Sequence, residues 1–310
     1  MVPIRIEHPF SRREPLIFDI KRDALKDGPG IRSTVFFKGC QLHCLWCQNP
    51  ESIDPASEIG FYPDSCIKSG ECVKVCKTGS CRMEDPWRID REKCDRCGEC
   101  VKVCPGRGLR QIGRFYPMEE LVSILLRDKV FYEVSGGGVT LSGGEPTLYM
   151  DYVSLLLNTL KKQGVHTAIQ TNGFFEWFEF KEKVLNLVDL IMFDVKLADP
   201  KKHLKYTGRK NRLILENLGR LLKERPKDII PRIPLIPGIT ATDQNLIAIS
   251  ELFQDLKVTR CSLLPYNPAG LSKAENIGKP IPSMLSRHMM TPAEEKKCRG
   301  IFSWAKLVGF

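Results

Sequence analysis

No stretch of this sequence approaches the roughly eighteen consecutive apolar residues that a membrane span requires, so no transmembrane segment is expected. The opening residues, MVPIRIEHPFSRREP, lack an apolar run between a basic start and a small-residue cleavage site, and no leader is expected either. A cytoplasmic protein without membrane contact follows from both. Nucleotide loops are also missing: Gly136-Gly137-Gly138 leads into neither Gly-Lys-Ser/Thr nor a completed G-x-G-x-x-G, which makes it a turn or hinge. Lys and Arg number 47 against 37 Asp and Glu, a formal net charge of +10. They form no long basic run, so they predict a solvated surface and no nucleic-acid partner. Histidines number only five and read as structural or solvated.

Cysteine, by contrast, is abundant. Eleven of the thirteen fall between Cys40 and Cys104, while Cys261 and Cys298 read as packed strand and helix residues. Cytosolic thiols stay reduced, so this density predicts metal binding and not disulfides.

Around the cysteines, short β-branched runs alternate with amphipathic stretches. Strands are expected at residues 31–37, 139–141, 166–171, 190–196, 229–236 and 258–264. Helices are expected at 118–128, 152–162, 179–187, 213–223 and 244–255, with Leu155, Leu156 and Leu160 sharing the inner face of the second. A last helix should start at Thr291, with Pro292 at its first position and Glu294 at its third. Six strand–helix steps imply a parallel sheet, closed or partly closed, and hence an α/β protein with a partial (β/α)6 TIM-like barrel.

From about residue 54 to 114 the rhythm breaks into Cys, Gly, Lys and Asp, too little apolar sequence to build a core without metal. This segment reads as an inserted domain, dividing the chain into 1–53, 54–114 and 115–310. It contains GECVKVC twice, at 70–76 and 98–104. The second copy completes Cys94-x2-Cys97-x2-Cys100-x3-Cys104-Pro105, the ferredoxin run in which three cysteines hold one [4Fe–4S] cluster and the fourth reaches another. Zinc also takes thiolates, but four cysteines this compressed and followed by proline suit a cubane better. A shift of 28 residues aligns Cys66, Cys72 and Cys76 with Cys94, Cys100 and Cys104, and puts Ser69 where a fourth thiol belongs. Cys81 is the nearest spare. The expected sets are therefore Cys66, Cys72, Cys81 and Cys104 for one cluster, and Cys76, Cys94, Cys97 and Cys100 for the other, with a serine-ligated or three-iron cluster as the alternative.

After the first strand comes Cys40-x3-Cys44-x-Trp46-Cys47. Three thiolates can hold a cubane while leaving one iron open to a ligand, which a reactive metal site needs. This loop resembles the signature of the radical S-adenosylmethionine enzymes. With Asp27-Gly28-Pro29-Gly30 upstream, Ser142-Gly143-Gly144-Glu145-Pro146 downstream and the two-cluster insert, the chain is similar, from Asp27 to Asn267, to the glycyl radical enzyme activating enzymes.

The resemblance implies a radical S-adenosylmethionine oxidoreductase with three [4Fe–4S] clusters, one binding S-adenosylmethionine and two auxiliary. The cofactor is cleaved reductively, and its 5′-deoxyadenosyl radical takes hydrogen from a glycine of a partner glycyl radical enzyme. Reduced ferredoxin or flavodoxin is the implied electron donor. Gly143, Gly144 and Glu145 would hold the methionyl amine, with Thr171 beside them. Asp194, Val195 and Lys196 would contact ribose and carboxylate. Trp46 and Gln48 would flank the adenine, Leu264 and Asn267 would close its pocket, and Asp27 would meet the partner's glycine loop. Cys40, Cys44, Cys47, Asp27 and Lys196 are thus the expected catalytic set. Two positions depart from the family pattern: Gln170 replaces an acidic residue that serves a bound monovalent cation, and Asn267 replaces a histidine. Another radical enzyme, acting on a small molecule or a different peptide site, is the alternative reading. Partner choice resides in a surface and not a motif, so dehydratase, decarboxylase, carbon–sulfur or carbon–nitrogen lyase and hydrocarbon–fumarate addition partners are all compatible.

Overall fold

The computed structural model describes residues 14–309; residues 1–13, most of the stretch in which no leader is expected, lie outside them. Among the described residues ten strands occur in chain order: β1 (Ile17–Ala24), β2 (Arg32–Phe37), β3 (Glu58–Phe61), β4 (Leu109–Ile112), β5 (Gly138–Gly143), β6 (His166–Thr171), β7 (Leu190–Asp194), β8 (Ile229–Leu235), β9 (Arg260–Pro265) and β10 (Lys306–Leu307). Eight of them form one sheet in the order β1-β2-β5-β6-β7-β8-β9-β10. The run from β2 to β9 is parallel throughout and corresponds to the six expected strands. Two further strands of this sheet were not expected, β1, antiparallel to β2, and β10, parallel to β9; nor were β3 and β4, which pair outside it. Among the described residues these edges do not pair with each other, so the sheet is open.

Helices cover the sheet through one apolar face each. On the helix Met150–Lys162, Val153, Leu156, Leu157 and Leu160 point inward at the i, i+3, i+4, i+7 spacing. Leu155, expected on that face, is 54% exposed, because the 3.6-residue period carries it off the stripe. The helix Pro292–Ile301 opens with the expected box: Glu294 N–H donates to Thr291 Oγ1, and Thr291 N–H donates to the Glu294 carboxylate. Among the described residues, no helix is long and apolar enough to cross a membrane.

The cysteine-rich segment departs from the parallel sheet. β3 and β4 pair antiparallel, from Glu58 opposite Ile112 to Phe61 opposite Leu109, and so bring the two ends of the segment together. Between them lie two helices of a single turn or so, Glu71–Val75 and Glu99–Lys102, and a small buried cluster of Ile59, Phe61, Ile89 and Leu109 with cysteines around it. Lys38 ties this unit to the sheet: fully buried, it donates to Glu58 Oε2 at 3.0 Å and to the Glu51 carbonyl at 2.5 Å.

Candidate active site

β2 ends at Phe37, and Gly39, at φ 98°, turns the chain across the C-terminal edge of the sheet. Only glycine takes that torsion readily. Its N–H donates to Ser52 O at 2.6 Å, and its carbonyl accepts from Glu145 N–H at 2.7 Å, which pins the turn against the end of β5. The loop is then held at two more points. His43 and Leu45 N–H donate to the Thr207 and Tyr206 carbonyls of the helix Pro200–Thr207, and Gln48 Nε2 donates to Asn267 O at 2.6 Å. So fixed, Cys40, Cys44 and Cys47 open into one cavity of about 340 Å³ at the strand ends. Parallel barrels build their sites at that edge.

The opposite wall is charged. Asp194, at the end of β7, accepts from Lys196 Nζ at 2.9 Å and from Arg232 Nη2 and Nε at 2.7 and 2.9 Å. Burial pushes the Asp194 carboxyl up, but the two cations outweigh it and hold it below the ordinary range. Lys196 is raised, because Asp194 and the nearby Cys44 outweigh its desolvation. The thiols are the uncompensated groups. Burial pushes Cys40 and Cys47 up and Cys44 up to about 12, with Lys196 pulling Cys44 the other way. Three thiols that dislike charge where they sit need a cationic centre to become thiolates, and iron supplies one. Asn172 Nδ2 lies 3.6 Å from Cys40 Sγ, an amide donor suited to ligand sulfur. The donor set fits an iron–sulfur cluster. The adjoining carboxylate, ammonium and guanidinium fit a zwitterionic amino-acid group.

Most of the residues expected from the sequence line this cavity: Asp27, Trp46, Gln48, Gly143, Gly144, Thr171, Asp194, Lys196 and Leu264, with the three thiols. Three do not. Glu145 is fully buried beneath it, accepting from Thr147 N–H and Oγ1, Thr171 Oγ1 and Asn172 N–H; it braces the turn that carries Asn172. Even with these donors, burial keeps its carboxyl raised. Val195 points into the core and spends its N–H on Arg232 O, and Asn267 reaches the site through its carbonyl on Gln48.

Other lining residues were missed in the sequence. Arg232 is a lone basic residue in an apolar, proline-interrupted strand and belongs to no motif; Asn172 could have been inferred from Thr171-Asn172-Gly173. In the sequence Gln170 stands out only as a departure from the family pattern. Its Nε2 donates to Asp27 Oδ1 at 3.1 Å and its Oε1 accepts from Ser142 Oγ at 2.7 Å, so it fixes Asp27 at the rim, helped by Thr34 Oγ1 at 2.9 Å.

In the insert, Cys66, Cys72 and Cys104 line a second, much smaller pocket with Ser69, Met83 and Arg88. Cys81 does not join them. It is buried against the other set, its N–H donating to Cys76 Sγ at 3.4 Å and its thiol hydrogen-bonding with Cys100. Hydrophobic packing holds Cys81 there, outside the pocket of Cys66, Cys72 and Cys104 with which it was expected to group. Cys76 Sγ also lies 3.2 Å from the Ser80 hydroxyl and 3.6 Å from the Thr78 hydroxyl, and hydrogen bonding from these groups and nearby backbone N–H overcomes burial and brings its thiol down to about 6. Cys94 packs at the edge of the same cluster, and Cys97 is exposed.

The chain has relatives among known proteins. Residues 34–248 match the model of the Radical SAM superfamily. The chain is 41% identical over 286 residues to the trans-4-hydroxy-L-proline dehydratase activating enzyme of Clostridioides difficile, covering 91% of this chain and 93% of that one. It is 38% identical over 289 residues to the benzylsuccinate synthase activating enzyme of Thauera aromatica, covering 91% and 87%. A solved radical SAM methyltransferase from Sphaerobacter thermophilus has the same fold, with a TM-score of 0.53 at 12% identity, over 89% of this chain and 65% of that one.

Proposed function

We propose the function from kinship: the chain belongs to the radical SAM superfamily and, within it, to the glycyl radical enzyme activating enzymes. It is an enzyme, and its protein substrate is a glycyl radical enzyme. When bound, a [4Fe–4S] cluster and S-adenosylmethionine supply the reductive cleavage to methionine and a 5′-deoxyadenosyl radical, which takes hydrogen from a glycine of that partner. The observation that carries the reading is the convergence of Cys40, Cys44 and Cys47 on one cavity with Asp194, Lys196 and Arg232.

Each residue then has a task. Cys40, Cys44 and Cys47 would hold the cluster, which with only three protein thiolates would keep a coordination position for the methionyl amine and carboxylate. Gly143 and Gly144 bring their backbone to that amine; a Cβ on either would also overlap the backbone of Phe37 or Gly39, so the fold itself requires glycine there. Lys196 and Arg232 attract the carboxylate, and Asp194 keeps both cations oriented and accepts from the ribose. Trp46, Gln48 and Leu264 enclose the adenine. Asp27, held by Gln170 and Thr34, receives the partner's glycine loop. Glu145 acts at one remove, holding Thr171 and Asn172 in place. The open sheet serves as a partial (β/α)6 barrel built from the described residues on either side of the insert, 14–53 and 115–309. Residues 54–114 form a ferredoxin-like domain with two auxiliary [4Fe–4S] clusters that accept electrons from reduced ferredoxin or flavodoxin. Gly28 and Gly30, at φ 128° and 68°, shape the turn that presents Asp27.

The test is anaerobic reconstitution with a candidate glycyl radical enzyme, dithionite and S-adenosylmethionine. Release of 5′-deoxyadenosine with a glycyl radical signal on the partner is the expected result. Release of 5′-deoxyadenosine without a radical on any such partner would favour a small-molecule or other peptide substrate.

A further inference from the structure

The insert repeats itself in backbone as well as in sequence. Left-handed torsions fall at Lys68, Gly70 and Gly79 (φ 58°, 79° and 65°) and again at Arg96, Gly98 and Arg107 (61°, 80° and 54°). The hydrogen bonds repeat too. Val73 N–H to Gly70 O and Val101 N–H to Gly98 O are both 3.0 Å, and Cys76 N–H to Val73 O and Cys104 N–H to Val101 O are both 3.3 Å. Cys81 N–H meets Cys76 Sγ as Leu109 N–H meets Cys104 Sγ, each at 3.4 Å. Ser69 thus holds the backbone position of Cys97, and Cys81 that of Leu109, a packing residue.

We infer that the two auxiliary sites are chemically unequal. Cys76, Cys94, Cys97 and Cys100 give one cluster four thiolates, with Cys81 packed beside it as a non-ligand. The pocket of Cys66, Cys72 and Cys104 gives the other only three, with the Ser69 hydroxyl as the remaining donor that would serve its fourth iron. The inference rests on the two-cluster reading of the insert. Three observations carry it: Ser69 lines that pocket, Cys81 lies in the other half, and Arg88 faces the pocket in an unsatisfied state. Arg88 is 5% exposed, its Nη2 is 3.8 Å from Cys66 Sγ, and its buried Nε–H has no partner. A buried guanidinium donor without an acceptor is costly, and the sulfides of an anionic cluster would satisfy it. Met83, the remaining sulfur in the pocket, is already engaged by Arg88 Nη1 at 3.0 Å.

An oxygen-held iron is the one that leaves on oxidation. Ferricyanide takes one electron from the [4Fe–4S]2+ core, and the resulting 3+ core releases Fe2+ and becomes [3Fe–4S]+. The experiment starts from full-length protein carrying Cys40→Ala, Cys44→Ala and Cys47→Ala together, reconstituted anaerobically, so that the cofactor-binding cluster is absent. About eight irons should remain, and brief ferricyanide treatment should yield about one three-iron spin per chain by electron paramagnetic resonance. Adding Ser69→Cys should abolish that signal at unchanged iron, and Cys81→Ala should alter neither iron nor signal. With all native thiols kept, the same treatment should give about two such spins, falling to about one in Ser69→Cys, so the outcome does not depend on the triple variant folding. Eight irons with no three-iron signal would overturn the inference, as would loss of about four irons in Cys81→Ala. Iron near zero in a folded triple variant would instead overturn the two-cluster reading, and the inference with it.

Discussion

The cavity at the strand ends and the cysteine-rich insert both gather thiols, but they are built on different foundations. Around the cavity, Asp194, Lys196, Arg232 and Glu145 are already paired, and the sheet beneath is packed with residues such as Val139, Leu141, Ile169 and Phe193 at 0% exposure. In the insert, the apolar core amounts to Ile59, Phe61, Ile89 and Leu109, and the rest of the buried set is largely cysteine. One region is organised before its ligand arrives. The other has little apolar surface of its own, and on the proposed reading it would take its folding energy from metal.

The sharpest way to break this contrast is to remove a ligand from the organised site. Cys44→Ala should reduce 5′-deoxyadenosine release to background while leaving the iron of the insert and the thermal transition of the parallel sheet in place, as iron analysis and calorimetry would show. Stripping all iron with chelator and dithionite should do the reverse to structure. Limited proteolysis should then cut within residues 54–114 while the barrel stays resistant, and an insert that remains protected without iron would remove the distinction.

The contrast also explains which parts of the molecule were legible in the sequence. The six parallel strands were readable because each is buried on both faces and reads as a β-branched run. β1 escaped notice: Ile17-Phe18-Asp19-Ile20-Lys21 alternates into solvent and ends in charge, which also suits a loop. The helix Pro200–Thr207 was missed although Asp199 caps it and Gly208 ends it, both ordinary signals. In the site, the thiols and glycines could be found from spacing, whereas Arg232 could not, since its role comes from the pairing of β7 with β8 that sets Asp194 beside it. In the insert, register was readable but sidedness was not. Sequence distance put Cys81 nearest the vacancy, and packing turned it to the other half.

Smaller effects sharpen the comparison further. Asp194→Ala leaves Lys196 and Arg232 buried without their carboxylate, and breaking such a set should cost roughly 3–5 kcal/mol of stability, measured by denaturant titration. Because the Asp194 pKa is depressed, its contribution is complete above the ordinary carboxyl value of 3.8 and is lost as pH falls through the lower folded value. Lys196 is raised, so its contribution is complete below 10.5 and is lost as pH rises through the higher folded value. The barrel should therefore keep this stabilisation across the neutral range, and a loss near neutrality in apo-protein would contradict the pairing.

Gly144→Ala should cost less, about 1–3 kcal/mol, because its Cβ must displace the Gly39 and Ser52 carbonyls. It should also weaken S-adenosylmethionine binding, measurable by calorimetry. Smallest of all should be the response to monovalent cations. Gln170 is neutral and both its amide atoms are engaged, so adding potassium or sodium should change the cleavage rate little, and a strong dependence would mean another group holds the ion.

The central claim is that the Cys40, Cys44 and Cys47 thiolates leave one iron free for S-adenosylmethionine. Anaerobic, dithionite-reduced protein should give an electron paramagnetic resonance spectrum that changes shape when S-adenosylmethionine is added, and the change should vanish in Cys44→Ala. A native spectrum indifferent to the cofactor, at full iron content, would contradict the account.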